Sequence, residues 1–131
     1  MAGPGNYPMY LLTVCGRKSG QPRTVPIVLL EQNGKRYLAA TYGSVNWVHN
    51  LRAAREAILT RGRRVETVTA RELPQGEAAL VLQAEVKRTL LARAMAGRFY
   101  GVTADAPLER FEQAMLTHPV FVLERKAHGS L

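Results

Sequence analysis

The sequence predicts an α+β fold, a small antiparallel barrel of about six strands with a helix after the third strand and two helices before the last. Three observations carry the prediction. Short β-rich runs alternate with turn signals over residues 9–41 and again over 57–72. Asn33-Gly34, a strong signal for a two-residue hairpin, sits between two of those runs. Helical spacing is confined to residues 44–54 and to the stretch from 77 to 116, with one more apolar run after it.

Residues 1–8, with two prolines and two glycines, read as a flexible arm, residues 9–126 as a single domain, and residues 127–131 as a flexible tail. Residues 9–16 form the first strand, a basic turn follows, and residues 23–31 form the second strand. Residues 36–41 return as the third, so three largely apolar strands form a meander. Either both faces of it are buried or one lines a closed barrel. Gly43 and Ser44 break the pattern, and Ser44 or Asn46 caps a short helix to Ala54 with Trp47, Leu51 and Ala54 on one face. Residues 57–60 and 65–72 are strands joined around Gly62. Leu82, Val86, Leu90 and Ala94 repeat every four residues, which predicts one amphipathic helix over 77–96. A loop carrying Phe99 and Tyr100 comes next, then a helix over 108–116, and Pro119 opens the final strand over 120–123.

At 131 residues and 47% hydrophobic composition the chain can bury a real core. No apolar run reaches the roughly 18–20 residues of a membrane-spanning helix, and the N-terminus lacks the pattern of a signal peptide, so a cytoplasmic protein is expected. Cys15 is the only cysteine and lies in a strand, where a buried, inert thiol is expected. Asp105 is the only aspartate, and the glutamates form no pair at metal or glycosidase spacing, which argues against a metal site and carboxylate-pair catalysis. The net charge of +8 comes from 14 Arg and 4 Lys and favours anionic partners. A basic surface with no specific partner is the competing reading.

Within this frame the basic turn is the most informative segment. Arg17, Lys18 and Arg23 surround a Ser-Gly-Gln-Pro turn, and the strand behind it alternates around Val25, Ile27 and Leu29. Converging cations and backbone N–H groups suit an anion, and an apolar floor beside them suits a flat ring. Solvated charges on a plain hairpin fit the same spacing. Trp47 and Asn50 lie three apart on the inserted helix, so the indole either covers a bound ring or anchors the helix to the core. Tyr42 and Tyr100, each beside a glycine, are candidates for proton donation or substrate contact, or else packing residues. None of His49, His118 and His128 has a partner at triad spacing.

The run LLTVCGRKSGQPRTVPIVLLEQNGKRYLAATYGS, followed by NWVHNLRA, resembles the deazaflavin-dependent nitroreductase family of actinobacteria. A GRK[ST]GxPR turn, a proline three residues on, an NG hairpin, an AA[ST]xG segment and WxxN occur in one order over residues 11 to about 72. The resemblance implies a split β-barrel related to pyridoxamine-phosphate oxidases and the coenzyme F-420. It implies that Arg17, Lys18, Ser19, Gln21 and Arg23 hold the coenzyme's phosphate and glutamyl tail, and that Val25, Pro26 and Ile27 lie against its ring. Ala39, Ala40, Thr41, Tyr42 and Gly43 would border the ring's polar edge, with Trp47 and Asn50 on the helix that follows.

The expected activity is hydride transfer from reduced F-420 to an electron-poor small molecule, a quinone, enone or nitro compound, with Tyr42 or Tyr100 as proton donor. A flavin mononucleotide (FMN) enzyme on the same barrel is the alternative. A non-catalytic barrel that carries F-420 or binds nucleic acid is a third reading. Nucleic acid is disfavoured because residues 23–30 contain no aromatic and Tyr37 stands alone on the next strand. A homodimer is open.

Overall fold

The structure, a computed structural model, describes residues 8–126, so all of the expected arm except Pro8, and the expected tail, lie outside the described residues. Seven strands and four helices follow the chain: β1 (Met9–Cys15), β2 (Pro22–Val28), β3 (Leu30–Gln32), β4 (Lys35–Ala39), α1 (Asn46–Ala54), β5 (Glu56–Arg61), β6 (Arg64–Glu72), α2 (Gln75–Val86), α3 (Leu90–Tyr100), α4 (Leu108–Ala114) and β7 (Val120–Arg125). The strands form one antiparallel sheet in the order β2-β1-β5-β6-β7-β4-β3.

That order explains the curl. β2 and β3 lie at opposite edges, yet only Leu29 separates them in sequence. Leu29 is fully buried, and its N–H leaves the ladder to meet Pro8 O at 3.2 Å. The chain therefore bends from one edge to the other, which draws the sheet round on itself. This corrects the single strand over 23–31 and the three-strand meander: β1–β2 and β3–β4 are separate hairpins that share a bent segment. The β3–β4 turn matches the expectation, with Asn33 and Gly34 both at positive φ, 52° and 76°.

Two apolar clusters follow from the curl. Inside it, Leu12, Val14, Leu29, Leu38, Leu59, Val68 and Phe121 pack with Val48 and Leu51 of α1. Outside it, Val120 and Val122 of β7 pack against Leu82, Phe111 and Met115 of the helical layer. β7 is thus buried on both faces, which is why its sequence is a run of apolar residues without alternation.

The expected single helix over 77–96 is two. Thr89 caps α3, its Oγ1 accepting the Ala92 N–H at 2.9 Å. Leu90, which continues the four-residue repeat, is 86% exposed. Phe99 and Tyr100 close α3 instead of lying in a loop. The cap of α1 is Val45, neither Ser44 nor Asn46, and Ala54 is exposed. Cys15 is exposed, because the alternation of β1 turns Leu12 and Val14 inward and leaves Cys15 on the outer face. No described helix is long and apolar enough to cross a membrane.

Candidate active site

β1 and β2 pair through Cys15 and Pro22, so residues 16–21 fold back at one end of the barrel. The turn is knit from within. Gly16 N–H donates to Gln21 O at 2.8 Å, Gly20 N–H to Gly16 O at 2.9 Å, and Gln21 N–H to Ser19 Oγ at 3.1 Å. Gly16 is buried, and a Cβ there would stand 2.7 Å from Ser19 Oγ and 3.1 Å from Gln21 O, so a side chain at this position would push both aside and loosen the turn. Arg17, Lys18 and Arg23 stand exposed on this frame.

The turn is also tied to helix α1. Asn50, 6% exposed, accepts from the Arg17 backbone N–H at 3.1 Å and from Arg17 Nη1 at 2.7 Å through one oxygen, Oδ1. Sequence reasoning assigned both residues to one site without seeing that they bond each other. The helix places Asn50 inward because Val48 and Leu51 beside it enter the barrel core.

At the same end the chain leaves β4 through residues 39–43. Ala40 N–H donates to Pro119 O at 2.9 Å and Gly43 N–H to Ala40 O at 3.0 Å, so the segment is tied down on both sides. Ala40 is buried, Ala39, Thr41 and Gly43 are half-buried, and Tyr42 is 77% exposed with its ring edge-on to Phe99 at 5.5 Å. Trp47 is half-buried, packs on the barrel core and faces Phe121 at 6.4 Å between ring centres. Tyr100 packs with the helical layer, edge-on to His118 at 5.3 Å. His118 Nδ1 lies 2.9 Å from Thr117 Oγ1 and 3.1 Å from Ala114 O.

On β2 the alternation divides the expected ring floor. Val25 and Ile27 turn into the barrel core, and Pro26 between them is exposed. The structure thus brings Arg17 and Asn50 into contact and gathers the turn, residues 39–43 and α1 at one end. It keeps Tyr42 and Tyr100 on different neighbours.

Two open recesses have walls drawn from other residues. One, of about 650 Å³, lies between α1 and β6 against Leu51, Arg52, Arg55, residues 69–72 and Phe121, the ring that Trp47 also faces. Arg52 grips Glu72 across its wall with two 2.8 Å hydrogen bonds, which raises the arginine's pKa. The other, about 390 Å³, lies at the opposite end of the barrel among five arginines. Sequence reasoning missed it, although Arg61, Arg63 and Arg64 at one hairpin tip were visible as a charge run. Arg36 and Arg125 join them only through the sheet order.

The turn fits an acidic cofactor tail by its donor set: between Gly16 and Arg23 it offers three cations, a hydroxyl and amides, and no carboxylate. Among the described residues no group of His, Cys, Asp and Glu could hold a metal ion.

A family model described as F-420H(2)-dependent quinone reductase matches residues 4–97. Among solved structures, an F-420-H2-dependent reductase (FDR-A) is 29% identical, with 89% of this chain and 94% of that one covered and a TM-score of 0.61. Another, described as a domain-swapped dimer, is 28% identical over 89% of this chain and 80% of its own, with a TM-score of 0.60. A pyridoxinephosphate oxidase family protein from Clostridium acetobutylicum, 13% identical, covers 89% of this chain and 74% of its own at a TM-score of 0.55 and shares the fold alone.

Proposed function

The chain belongs to the F-420H(2)-dependent quinone reductase family, as an F-420-dependent oxidoreductase, and we propose that its acceptor is an electron-poor small molecule: a quinone, an enone or a nitro compound. When bound, the reduced coenzyme supplies a hydride, two electrons in one step. The chain's own residues bind, orient and supply a proton. Arg17, Lys18, Ser19, Gln21 and Arg23 hold the phosphate and the glutamyl tail. Pro26, the exposed one of the three expected β2 residues, and residues 39–43 border the ring, and Trp47 covers the helix side. Tyr42, exposed beside this edge, is the first candidate to hand a proton to the acceptor, and Tyr100 the second.

One observation carries this reading: Asn50 holds Arg17 by two hydrogen bonds, so the cations of the turn stand on a rigid frame before any anion arrives. Lys18→Ala combined with Arg23→Ala removes two charge-assisted contacts. Even after discounting for solvent exposure, the loss should exceed about 1.4 kcal/mol, a tenfold rise in the coenzyme's Kd by fluorescence titration. An unchanged Kd would refute the assignment. Tyr42→Phe should lower kcat at least about tenfold with Kd for the coenzyme unchanged. If only Tyr100→Phe does so, the two tyrosines exchange roles.

A further inference from the structure

The recess between α1 and β6 exists because neighbouring elements stop short of each other. β5 begins at Glu56, opposite Thr69, so no described strand covers β6 on that side beyond this pair. Ala70 N–H donates to Arg55 O at 2.9 Å, while Arg55 N–H turns back to Leu51 O at 2.8 Å. The end of β6 is thus a bare edge beside the last turn of α1. Leu51, Ala70 and Phe121 give the recess an apolar floor, and Arg52, Arg55, Arg71 and Glu72 give it a charged rim. Its volume of about 650 Å³ is that of a small-molecule site.

Arg55 occupies a position that suits glycine. It ends α1 at φ 60° and ψ 13°, the left-handed conformation that glycine adopts freely and arginine only at a cost. The other described non-glycine residue at positive φ is Asn33, in a hairpin turn where asparagine is favoured. Hydrogen bonds on both sides hold the Arg55 backbone in place, which fixes where its side chain starts. A residue kept in such a state by its surroundings points to function.

Glu72 is the only acid on the wall, and Arg52 already engages it through Nε and Nη2 at 2.8 Å each. The Arg55 and Arg71 side chains are exposed and form no hydrogen bond or ion pair with any described residue. Two such cations beside an apolar floor suit an anion with an apolar body. One carboxylate can meet two arginines, as Glu66 of this protein does in accepting from Arg36 and Arg125. We propose that this recess is a second ligand site, separate from the turn at residues 16–21, and that it takes a small organic acid with an apolar ring. The carboxylate lies between Arg55 and Arg71, and the ring rests on Leu51, Ala70 and Phe121. Arg52 and Glu72, locked together, form the wall. The proposal is independent of the coenzyme assignment.

The test titrates indoleacetate into ¹⁵N-labelled protein without coenzyme, so its outcome is read apart from coenzyme binding. In about 0.15 M salt, where loose surface attraction is screened, saturable shifts are expected at the amides of residues 51–56 and 69–72, with Kd below about 1 mM. Tryptophol keeps the ring and lacks the charge, whereas acetate keeps the charge and lacks the ring. Each should bind at least about tenfold more weakly. Arg55→Gly should raise the indoleacetate Kd at least about tenfold without lowering the melting temperature, because glycine suits the left-handed turn. Arg55→Asn serves if the glycine variant does not fold, and Arg71→Gln should weaken binding in the same direction. The proposal is overturned by shifts that do not saturate, or that fall on residues 16–23 instead. It is also overturned by equal binding of tryptophol or acetate, by unchanged affinity in the variants, or by an acidic peptide moving these amides where indoleacetate does not.

Discussion

Removing the Asn50 side chain separates a rigid basic turn from a merely basic one. In Asn50→Ala, Arg17 loses the acceptor for its backbone N–H at 3.1 Å and for Nη1 at 2.7 Å. A neutral backbone hydrogen bond contributes about 1 kcal/mol and a half-exposed charged one about 1–2 kcal/mol, so the domain should lose about 2 kcal/mol. At about 2.1 cal/mol/K per residue of unfolding entropy, a chain of this length melts about 7 °C lower. Arg17 would then swing free, the coenzyme would have to order the turn on binding, and its Kd should rise at least about fivefold. Asn50→Asp is the informative companion. It keeps an acceptor for both Arg17 donors, so stability should return to within about 3 °C of the parent. It also sets a negative charge behind Arg17, so the coenzyme should bind more weakly than in Asn50→Ala. Differential scanning calorimetry and fluorescence titration read the two effects separately. A coenzyme Kd unchanged in Asn50→Ala, or an Asn50→Asp variant that binds as tightly as the parent, would refute the reasoning.

Gly16→Ala forces a Cβ to within 2.7 Å of Ser19 Oγ; thermal unfolding should show a loss of about 1–3 kcal/mol, with weakened coenzyme binding, and an unaltered melting curve would contradict the tight turn. Thr89→Ala removes the cap that starts α3 and should cost about 1 kcal/mol in urea denaturation, and an unchanged denaturation midpoint would contradict the cap. Hydrogen bonding from Arg36, and then from Arg125, holds the Glu66 carboxyl below its ordinary value of 4.5. A depressed carboxylate contributes stability that is present above that ordinary value and is lost as pH falls through the lowered folded one. Glu66→Gln should therefore destabilise the protein at pH 7 and flatten the loss of stability on acidification. Denaturation at several pH values giving the same acid slope as the parent would count against the pair.

Much of this architecture was legible in the sequence because local rules and tertiary needs agree there. Asn33-Gly34 can hardly do anything but turn a hairpin, and the apolar run over residues 120–123 is what a strand buried on both faces requires. The failures share a cause: a local pattern ran across a point where long-range packing changed the path. Leu29 continues the apolar alternation of β2, so nothing nearby announces that the chain bends there to reach the other edge. Leu90 and Ala94 extend the rhythm of Leu82 and Val86, and only Thr89, a capping residue in mid-pattern, hinted at a break. Of the site, the cations and Asn50 were legible as types at a spacing, but their bond joins residues 33 apart in sequence. The opposite recess draws Arg36, Arg61 and Arg125 from three strands, a grouping only the sheet order discloses.

The central claim is that an acidic cofactor tail sits on the turn at residues 16–21 beside helix α1. Titrating ¹⁵N-labelled protein with F-420 and following each backbone amide tests it most directly. The account predicts saturable shifts at residues 16–23, 39–43 and Asn50. Shifts confined to residues 61–66, or saturable binding that leaves residues 16–23 unmoved, would contradict it.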